Sequence, residues 1–153
     1  MEQEVLKVRF KKLVEDAVIP TYKTVGAAGM DMTAIRTEVI DYGNQLKAYT
    51  GIAVEIPKGY VGLLFPRSSV VTTNNRLGNC VGVIDSDYRG EITFVFDNVD
   101  VNGDLISDYD YNYQASDRVG QLVILPFPKV ELEEVKELSD SERGTGGYGH
   151  TGR

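Results

Sequence analysis

The chain has 153 residues, of which 42% are hydrophobic and 25% charged, a size and composition that suit one globular domain. Its 16 basic and 23 acidic residues give a formal net charge of −7, which argues against binding to nucleic acid or to an anionic membrane through net charge. One Cys and one His exclude an internal disulfide, and they exclude the usual zinc site of three or four ligands from this chain alone.

The amino-terminal segment alternates apolar and basic residues. Leu6, Val8 and Phe10 are the apolar members, and this alternation predicts a half-buried strand. A secretory signal would need a continuous apolar run, and no stretch approaches the roughly 18 apolar residues of a membrane-spanning helix. We therefore expect a cytoplasmic protein with no membrane partner, or one of the host cytoplasm if it is virus-encoded.

Short apolar runs separated by Gly, Pro, Asn and Asp dominate the rest of the chain. Residues 52–56 and 92–96 alternate, whereas Tyr60–Phe65 and residues 122–127 are continuously apolar. Alternation is typical of strands buried on one face, and continuous runs are typical of burial on both. Because helical periodicity is scarce, we expect an all-β sandwich or barrel with at most one short helix, around residues 69–77. Residues 131–138 fit either a helix or a strand.

Two segments differ in composition from the rest. Residues 97–113 carry five acids, no bases and three closely spaced tyrosines, which predicts a solvated hairpin or surface insertion. Such a segment is either an ordinary exposed loop or a surface for a protein partner. Residues 140–153 contain five glycines, and such a segment stays mobile until something orders it. We therefore divide the chain into a β domain, residues 1–139, and a flexible Gly-rich tail, residues 140–153.

Three polar clusters carry the candidate chemistry. Residues 143–149 combine glycine-rich backbone, which can wrap phosphate oxygens, with one Arg and one Tyr, although a disordered tail explains the composition equally well. Residues 66–69 follow a strand and can either cap a helix or bind an anion. Residues 79–90 place two carboxylates, a Tyr and an Arg between apolar strands, which is more than a hairpin turn requires.

In this order the clusters resemble the motifs of the trimeric dUTPase family, and the resemblance covers nearly the whole chain. The five matching segments are residues 28–32, 66–69, 82–90, 118–121 and 143–149. The resemblance implies a jelly-roll fold of the β-clip type and a homotrimer whose active sites are shared between copies. It also implies hydrolysis of dUTP, which would limit uracil in DNA and supply dUMP for dTMP synthesis.

The resemblance further implies the roles of residues near the reacting end of dUTP. Asp85 should activate a water that attacks the α-phosphorus in line. Tyr88 should pack against the deoxyribose and exclude the 2′-hydroxyl of UTP. Uracil recognition falls to Asn79 and to the backbone around it, that is, to Gly82, Val83 and Ile84.

Other residues are assigned to the phosphates and to the closing tail. They are Arg67, Ser68, Ser69, Gln121, Arg143, Gly146, Gly147 and Tyr148. Arg143 should hold the γ-phosphate and Tyr148 should stack on uracil, whereas Arg67 binds phosphate or is purely structural. Arg89 and Arg118 are interpreted as structural or interface cations.

The implied cofactor is Mg²⁺, held by the triphosphate and by water rather than by protein ligands. Asp31 is placed near the metal and its waters, and a purely structural hydrogen-bonding role suits it equally well. Two alternatives remain: a dCTP deaminase of the same fold, which would release ammonia, and a nucleotide-responsive regulatory binding protein.

Overall fold

A computed structural model of the protein describes residues 5–41, 44–99, 102–104 and 113–148. Within these residues nine strands are joined by turns and by a short 3₁₀ helix, Ser68–Thr72. The strands are β1 (Arg9–Lys12), β2 (Met30–Thr33), β3 (Arg36–Ile40), β4 (Gln45–Glu55), β5 (Tyr60–Phe65), β6 (Asn75–Leu77), β7 (Gly82–Ile84), β8 (Glu91–Asn98) and β9 (Arg118–Pro126). The predicted all-β class is confirmed.

The strands form two antiparallel sheets. One has the order β1-β4-β8-β6, with β3 also paired to β4, and the other has the order β2-β9-β5-β7. Side chains from both sheets share one apolar core, in which Met32, Phe94 and Leu122 are each at most 1% exposed. This is the sandwich expected of a jelly roll. No described segment forms a helix of the length and apolar character needed to cross a bilayer.

Strand β8 follows the predicted alternation closely. Ile92, Phe94 and Phe96 are buried, whereas Thr93 and Val95 between them are partly accessible. The rings of Phe94 and Phe96 lie parallel, with centroids 6.3 Å apart. One face of β8 therefore contributes the centre of the core.

The prediction for the amino-terminal strand is only partly right. The strand is shorter than the alternation suggested, and all four residues of β1 are exposed, Phe10 to 47%. Of the three apolar residues of the predicted strand, Leu6, Val8 and Phe10, only Val8 packs against the core. The reason is position, because β1 is the end strand of its sheet and pairs only with β4.

The short helix predicted around residues 69–77 is present but shorter than expected, and the ambiguous residues 131–138 match neither of their two predictions. Residues 69–77 do not form one helix: the 3₁₀ helix ends at Thr72, and β6 follows from Asn75. Residues 131–138 form neither a helix nor a strand and are exposed throughout.

The acidic segment, residues 97–113, is not wholly a solvated insertion. Asn98 belongs to β8 and is fully buried, and Tyr113 is only 8% exposed, with its ring 4.9 Å from that of Phe96. Residues 100–101 and 105–112 of this segment lie outside the described residues, as do the tail residues 149–153.

Candidate active site

Asp85 directly follows the short strand β7. Because β7 runs antiparallel to β5 with Ile84 opposite Gly62, Asp85 lies beside the beginning of β5. Its side chain is exposed and borders a cleft of about 490 Å³, whose other walls include Val61 and Phe127. Within the described ranges, no hydrogen bond or ion pair engages the Asp85 carboxylate. It is available to a water molecule or a ligand.

The loop between β7 and β8 is held by its own hydrogen bonds. Tyr88 N–H donates to the Asp85 carbonyl over 3.1 Å, and Arg89 Nη1 donates to the carbonyls of Ser86 and Tyr88 over 2.8 and 3.0 Å. Arg89 also lies 3.8 Å from a carboxylate oxygen of Glu55. The Arg89 guanidinium therefore stabilises the conformation of this loop, and it forms no ion pair with Asp85.

Tyr88 forms one wall of a second, smaller cleft beside Asp85. This cleft has a volume of about 160 Å³ and includes Val83 and Thr93 in its lining. The Tyr88 hydroxyl donates to the Glu91 carbonyl over 3.1 Å. A Cβ at Gly90 would collide with the Tyr88 ring, so the glycine is what lets the ring lie in this position. The cleft places an aromatic wall next to a carboxylate.

A cluster of charged residues lies elsewhere, where β2, β5 and β9 meet. Arg118 Nη1 donates to Asp31 Oδ2 over 2.8 Å, and Arg67 Nε lies 3.5 Å from Asp31 Oδ1. Gln121 pairs with both Asp31 and Phe65 in the sheet register. One carboxylate thus fixes two guanidinium groups, while their other N–H groups remain for a ligand.

Gln121 is positioned from two sides. Its Nε2 donates to the Pro66 carbonyl over 3.1 Å, and Gly29 leaves room for its side chain, since a Cβ there would lie 2.5 Å from Gln121 Oε1. The first, second and fourth predicted motifs therefore meet at this point. Arg67 precedes the 3₁₀ helix, and Ser68 and Ser69 begin it with both side chains exposed.

The Asp85 carboxylate and the arginine cluster do not meet within one copy of the chain. Asp85 lies beside Val61, whereas Arg67 and Gln121 lie at or beyond Phe65 at the other end of β5. The four residue steps from Val61 to Phe65 correspond to about 13 Å in an extended strand, and Arg67 is two residues farther along the chain.

The residues assigned to uracil lie in strand β7 and in the turn that precedes it. Gly82, Val83 and Ile84 form this strand, which is the end strand of its sheet, so no other described strand pairs with its outer edge. Asn79 is exposed in the turn before β7 and lines neither cleft at Asp85. The strand edge therefore offers backbone donors and acceptors to a ligand.

The tail residues form a turn of their own. Arg143 Nε donates to the Gly146 carbonyl over 2.7 Å, and Gly144 N–H donates to the Ser141 carbonyl over 3.1 Å. Gly147 is exposed, and Tyr148 is fully so. The structure thus does not bring the described part of the tail, residues 140–148, to either Asp85 or the arginine cluster.

A protein cage for a metal ion is not evident in the described part of the chain. No group of three or more His, Cys, Asp or Glu side chains there has the arrangement to hold a metal. The carboxylate of Asp31 is already paired with two arginines.

Sequence reasoning did not predict that Arg118 and Tyr113 lie beside the second motif, although the ion pair of Arg118 with Asp31 agrees with its interpretation as a structural cation. Arg118 shares Asp31 with Arg67, and it also lines a polar cavity of about 300 Å³ with Arg67, Ser69 and Tyr113. The contact between Arg118 and Asp31 gave no local signal, because the two residues are 87 positions apart in the sequence. The burial of Tyr113 was not predicted, because the acidic residues before it indicated a solvated segment.

Comparison with known proteins establishes the family. The family model for dUTPase matches residues 15–152. The chain belongs to the dUTPase family. The chain is therefore an enzyme. Of the two enzymes predicted from the sequence, the match supports the dUTP hydrolase and not the dCTP deaminase.

Similar proteins cover the dUTPase chain almost completely. The deoxyuridine 5′-triphosphate nucleotidohydrolases of Nautilia profundicola and of a Hydrogenobaculum species are each 40% identical to it, over 97% and 96% of this chain and 100% and 99% of theirs. Among solved structures, a variant of the Staphylococcus bacteriophage 80alpha dUTPase with dUpNHpp has a TM-score of 0.79 and 28% identity, covering 97% of this chain and all of that one.

A second solved dUTPase concerns metal binding. A variant of the enzyme from phage phi11 of S. aureus has a TM-score of 0.69 and 29% identity, covering 86% of this chain and 98% of that chain. That structure reveals the coordination of a structural Mg(II) ion.

Proposed function

We propose that this chain hydrolyses dUTP to dUMP and pyrophosphate through attack of water on the α-phosphorus. The observation that carries the proposal is the exposed Asp85 carboxylate, unpaired within the described residues, at the junction of two clefts in a chain of the dUTPase family. A carboxylate that no cation neutralises can accept a proton from a water molecule. The same hydrogen bond orients the lone pair of the water oxygen towards the α-phosphorus. Asp85 would hold the water in line with the bond that breaks.

The phosphate chain would bind at the arginine cluster. Arg67 supplies positive charge where negative charge develops, and Ser68, Ser69 and Gln121 supply neutral donors. Asp31 acts on the substrate indirectly, because its carboxylate keeps the Arg67 and Arg118 guanidinium groups oriented. Of the two roles predicted for Asp31, the proposal therefore uses the structural hydrogen-bonding role and not the role near the metal.

The substrate would be the Mg²⁺ complex of dUTP. When bound, the cation neutralises part of the triphosphate charge. The protein's own contribution is the pair of arginines, which are fixed by Asp31 before the substrate arrives. Preorganised charge of this kind costs no rearrangement during the reaction.

Selection of uracil and deoxyribose would take place along β7. The unpaired edge of Gly82, Val83 and Ile84 and the amide of Asn79 can satisfy the polar edge of uracil, and they would leave polar groups unpaired with cytosine. The Tyr88 ring, packed over Gly90, would lie against the deoxyribose and leave no space for a 2′-hydroxyl.

The active site would be shared between copies in a homotrimer. The separation of Asp85 from Arg67 along β5 supports this proposal, because one copy does not bring the water-activating group to the phosphate-binding group. A tail from one of the copies would close the site, with Arg143 on the γ-phosphate, Tyr148 on uracil, and Gly146 and Gly147 supplying backbone N–H groups. The exposure of Tyr148 is what such a tail requires before closure.

A metabolic role follows from the reaction. Removal of dUTP would limit uracil in DNA, and the dUMP formed would supply synthesis of dTMP. A regulatory partner for residues 97–113 stays a prediction, since most of that segment lies outside the described residues.

Parallel assays of pyrophosphate release from dUTP, UTP, dCTP and dTTP with Mg²⁺ test the proposed function. We expect release from dUTP alone. Equal release from UTP would contradict the role of Tyr88, and release of ammonia from dCTP would restore the deaminase alternative.

A further inference from the structure

Glu55, the last residue of β4, lies between two arginines from neighbouring segments. Arg9 is directly opposite Glu55 in the pairing of β1 with β4, and its guanidinium donates to Glu55 Oε1. On the other side of β4, Ala53 pairs with Glu91, so the same antiparallel register continued by two residues puts Arg89 opposite Glu55. Arg89 Nη2 lies 3.8 Å from the same carboxylate oxygen. One carboxylate is thus the cross-strand neighbour of two cations.

The Arg89 guanidinium connects this carboxylate to the loop between β7 and β8. Its Nη1 donates to the carbonyls of Ser86 and Tyr88, while its Nη2 faces Glu55. Tyr88 N–H in turn donates to the Asp85 carbonyl. Because a guanidinium is planar and rigid, an ion pair at one nitrogen orients the other. Among the described residues, Glu55 is the only carboxylate within ion-pair distance of Arg89.

We propose that Glu55 is a positioning residue for the active-site loop. By holding Arg89, it stabilises the loop conformation that presents the Asp85 carboxylate and the Tyr88 ring to their clefts. Glu55 itself lines neither of these clefts, so it acts through Arg89 and not on the substrate. The inference rests on the proposed function for the reaction that the loop serves. One charge at the end of β4 would then affect water activation and sugar selection together.

Glu55→Gln removes the charge and keeps the size of the side chain. The ion pair with Arg89 is open to solvent, with 54% of the Arg89 side chain and 37% of the Glu55 side chain exposed. A pair of this kind changes an equilibrium only a few-fold. In Glu55→Gln, kcat for dUTP should therefore fall about threefold, and the ratio of kcat/KM for dUTP over UTP should fall by about the same factor.

The ratio for the two substrates separates positioning from a general loss of folded enzyme, because the amount of active enzyme cancels in it. The two substrates also carry the same charge, so the effect of salt on phosphate binding cancels as well. Added salt weakens an exposed ion pair, so it should lower the ratio of the wild type towards that of Glu55→Gln and leave the variant's ratio unchanged. An unchanged ratio in Glu55→Gln would overturn the inference.

Two further variants test whether Glu55 acts through Arg89. In a chain that already carries Arg89→Gln, the additional change Glu55→Gln should have no further effect on kcat or on the ratio. Additive effects of the two substitutions would overturn a role through Arg89. Glu38→Gln is the matched control, since it changes a surface carboxylate of the same sheet that pairs with Arg36, and it should retain the wild-type ratio.

Amide hydrogen exchange tests the loop without any substrate. The Tyr88 amide, which donates to the Asp85 carbonyl, should exchange about threefold faster in Glu55→Gln than in the wild type and equally fast in Glu38→Gln. An unchanged Tyr88 exchange rate in Glu55→Gln would overturn the inference, whether or not the wild type hydrolyses dUTP. Faster exchange in that variant, with no dUTP turnover by the wild type, would refute the proposed function alone.

Discussion

The two ends of strand β5 differ in how far their functional groups are already paired. At the beginning of β5, the Asp85 carboxylate is exposed, with no partner among the described residues. At the other end, Asp31 pairs with Arg67 and Arg118, and Gln121 donates to a backbone carbonyl. The arginine end is organised before substrate binds, whereas the carboxylate end depends on what docks beside it.

This difference corresponds to the chemistry proposed for each end. Binding a phosphate chain benefits from cations fixed in advance. Activation of water requires a carboxylate that no cation has neutralised, since an ion pair would reduce its basicity. Arg89 illustrates the point, because it donates to the carbonyls of the adjacent loop rather than to Asp85.

The largest expected effect comes from removing the charge at the carboxylate end. Asp85→Asn should lower kcat by roughly 10²- to 10⁴-fold, the usual contribution of a general base, while binding of a non-hydrolysable dUTP analogue persists. Asp87→Asn is the matched control, since Asp87 lies two residues away in the same cleft. Equal losses in both variants would contradict a specific role for Asp85.

Disruption of the arginine end should act on binding more than on turnover. Asp31→Asn weakens the contacts that orient Arg67 and Arg118, so KM for dUTP should rise roughly tenfold, as for loss of a partner of charged hydrogen bonds. Steady-state kinetics would measure it. In Glu38→Gln, which changes a surface carboxylate 3.2 Å from Arg36, KM should stay at the wild-type value. A fall in kcat without change in KM would place Asp31 in the chemical step instead.

An effect of similar size, on substrate selectivity rather than on KM, is expected from moving the aromatic wall. Gly90→Ala forces the Tyr88 ring away from its position, so the preference for dUTP over UTP should fall by about tenfold, the order of a packing-based discrimination. The ratio of kcat/KM for the two substrates measures it. Gly26→Ala is the control, because a Cβ there would meet nothing within 4 Å, and it should preserve the ratio. An unchanged ratio in Gly90→Ala would contradict a role for Tyr88 in sugar selection.

The smallest effect concerns stability at alkaline pH. Because burial raises the pKa of Tyr113 in the folded state, its contribution to stability is complete below the usual value of 10.0 and is lost as pH rises through the raised value. Denaturant midpoints of Tyr113→Phe should therefore decline less than those of the wild type above pH 10.0. Parallel declines would show that Tyr113 titrates alike in the folded and unfolded chains.

Local patterns predicted the elements whose environment is set within one sheet. Alternation in β8 and the continuous apolar run of β5 both identified strands correctly. The pattern at Phe10 failed because exposure of an end strand depends on what lies next to it, which the sequence around Phe10 does not encode.

The candidate site was predictable as residues but not as an arrangement. The motifs identified Asp31, Arg67 and Asp85, yet the Asp31–Arg118 contact depends on the register of β2 against β9, between residues far apart in sequence. The distance from Asp85 to Arg67 likewise depends on the register of β7 against β5. Long-range strand pairing carries this information, and no short motif contains it.

The central claim, that two copies supply the two ends of one site, is tested most directly by mixing two inactive variants. Asp85→Asn chains and Arg67→Ala chains would be assembled together, and pyrophosphate release from dUTP would be measured. If one copy provides Asp85 and another provides Arg67, random mixing of equal amounts restores about a quarter of the wild-type sites, following the symmetry of such assemblies. Activity no greater than that of the separate variants would contradict the shared site.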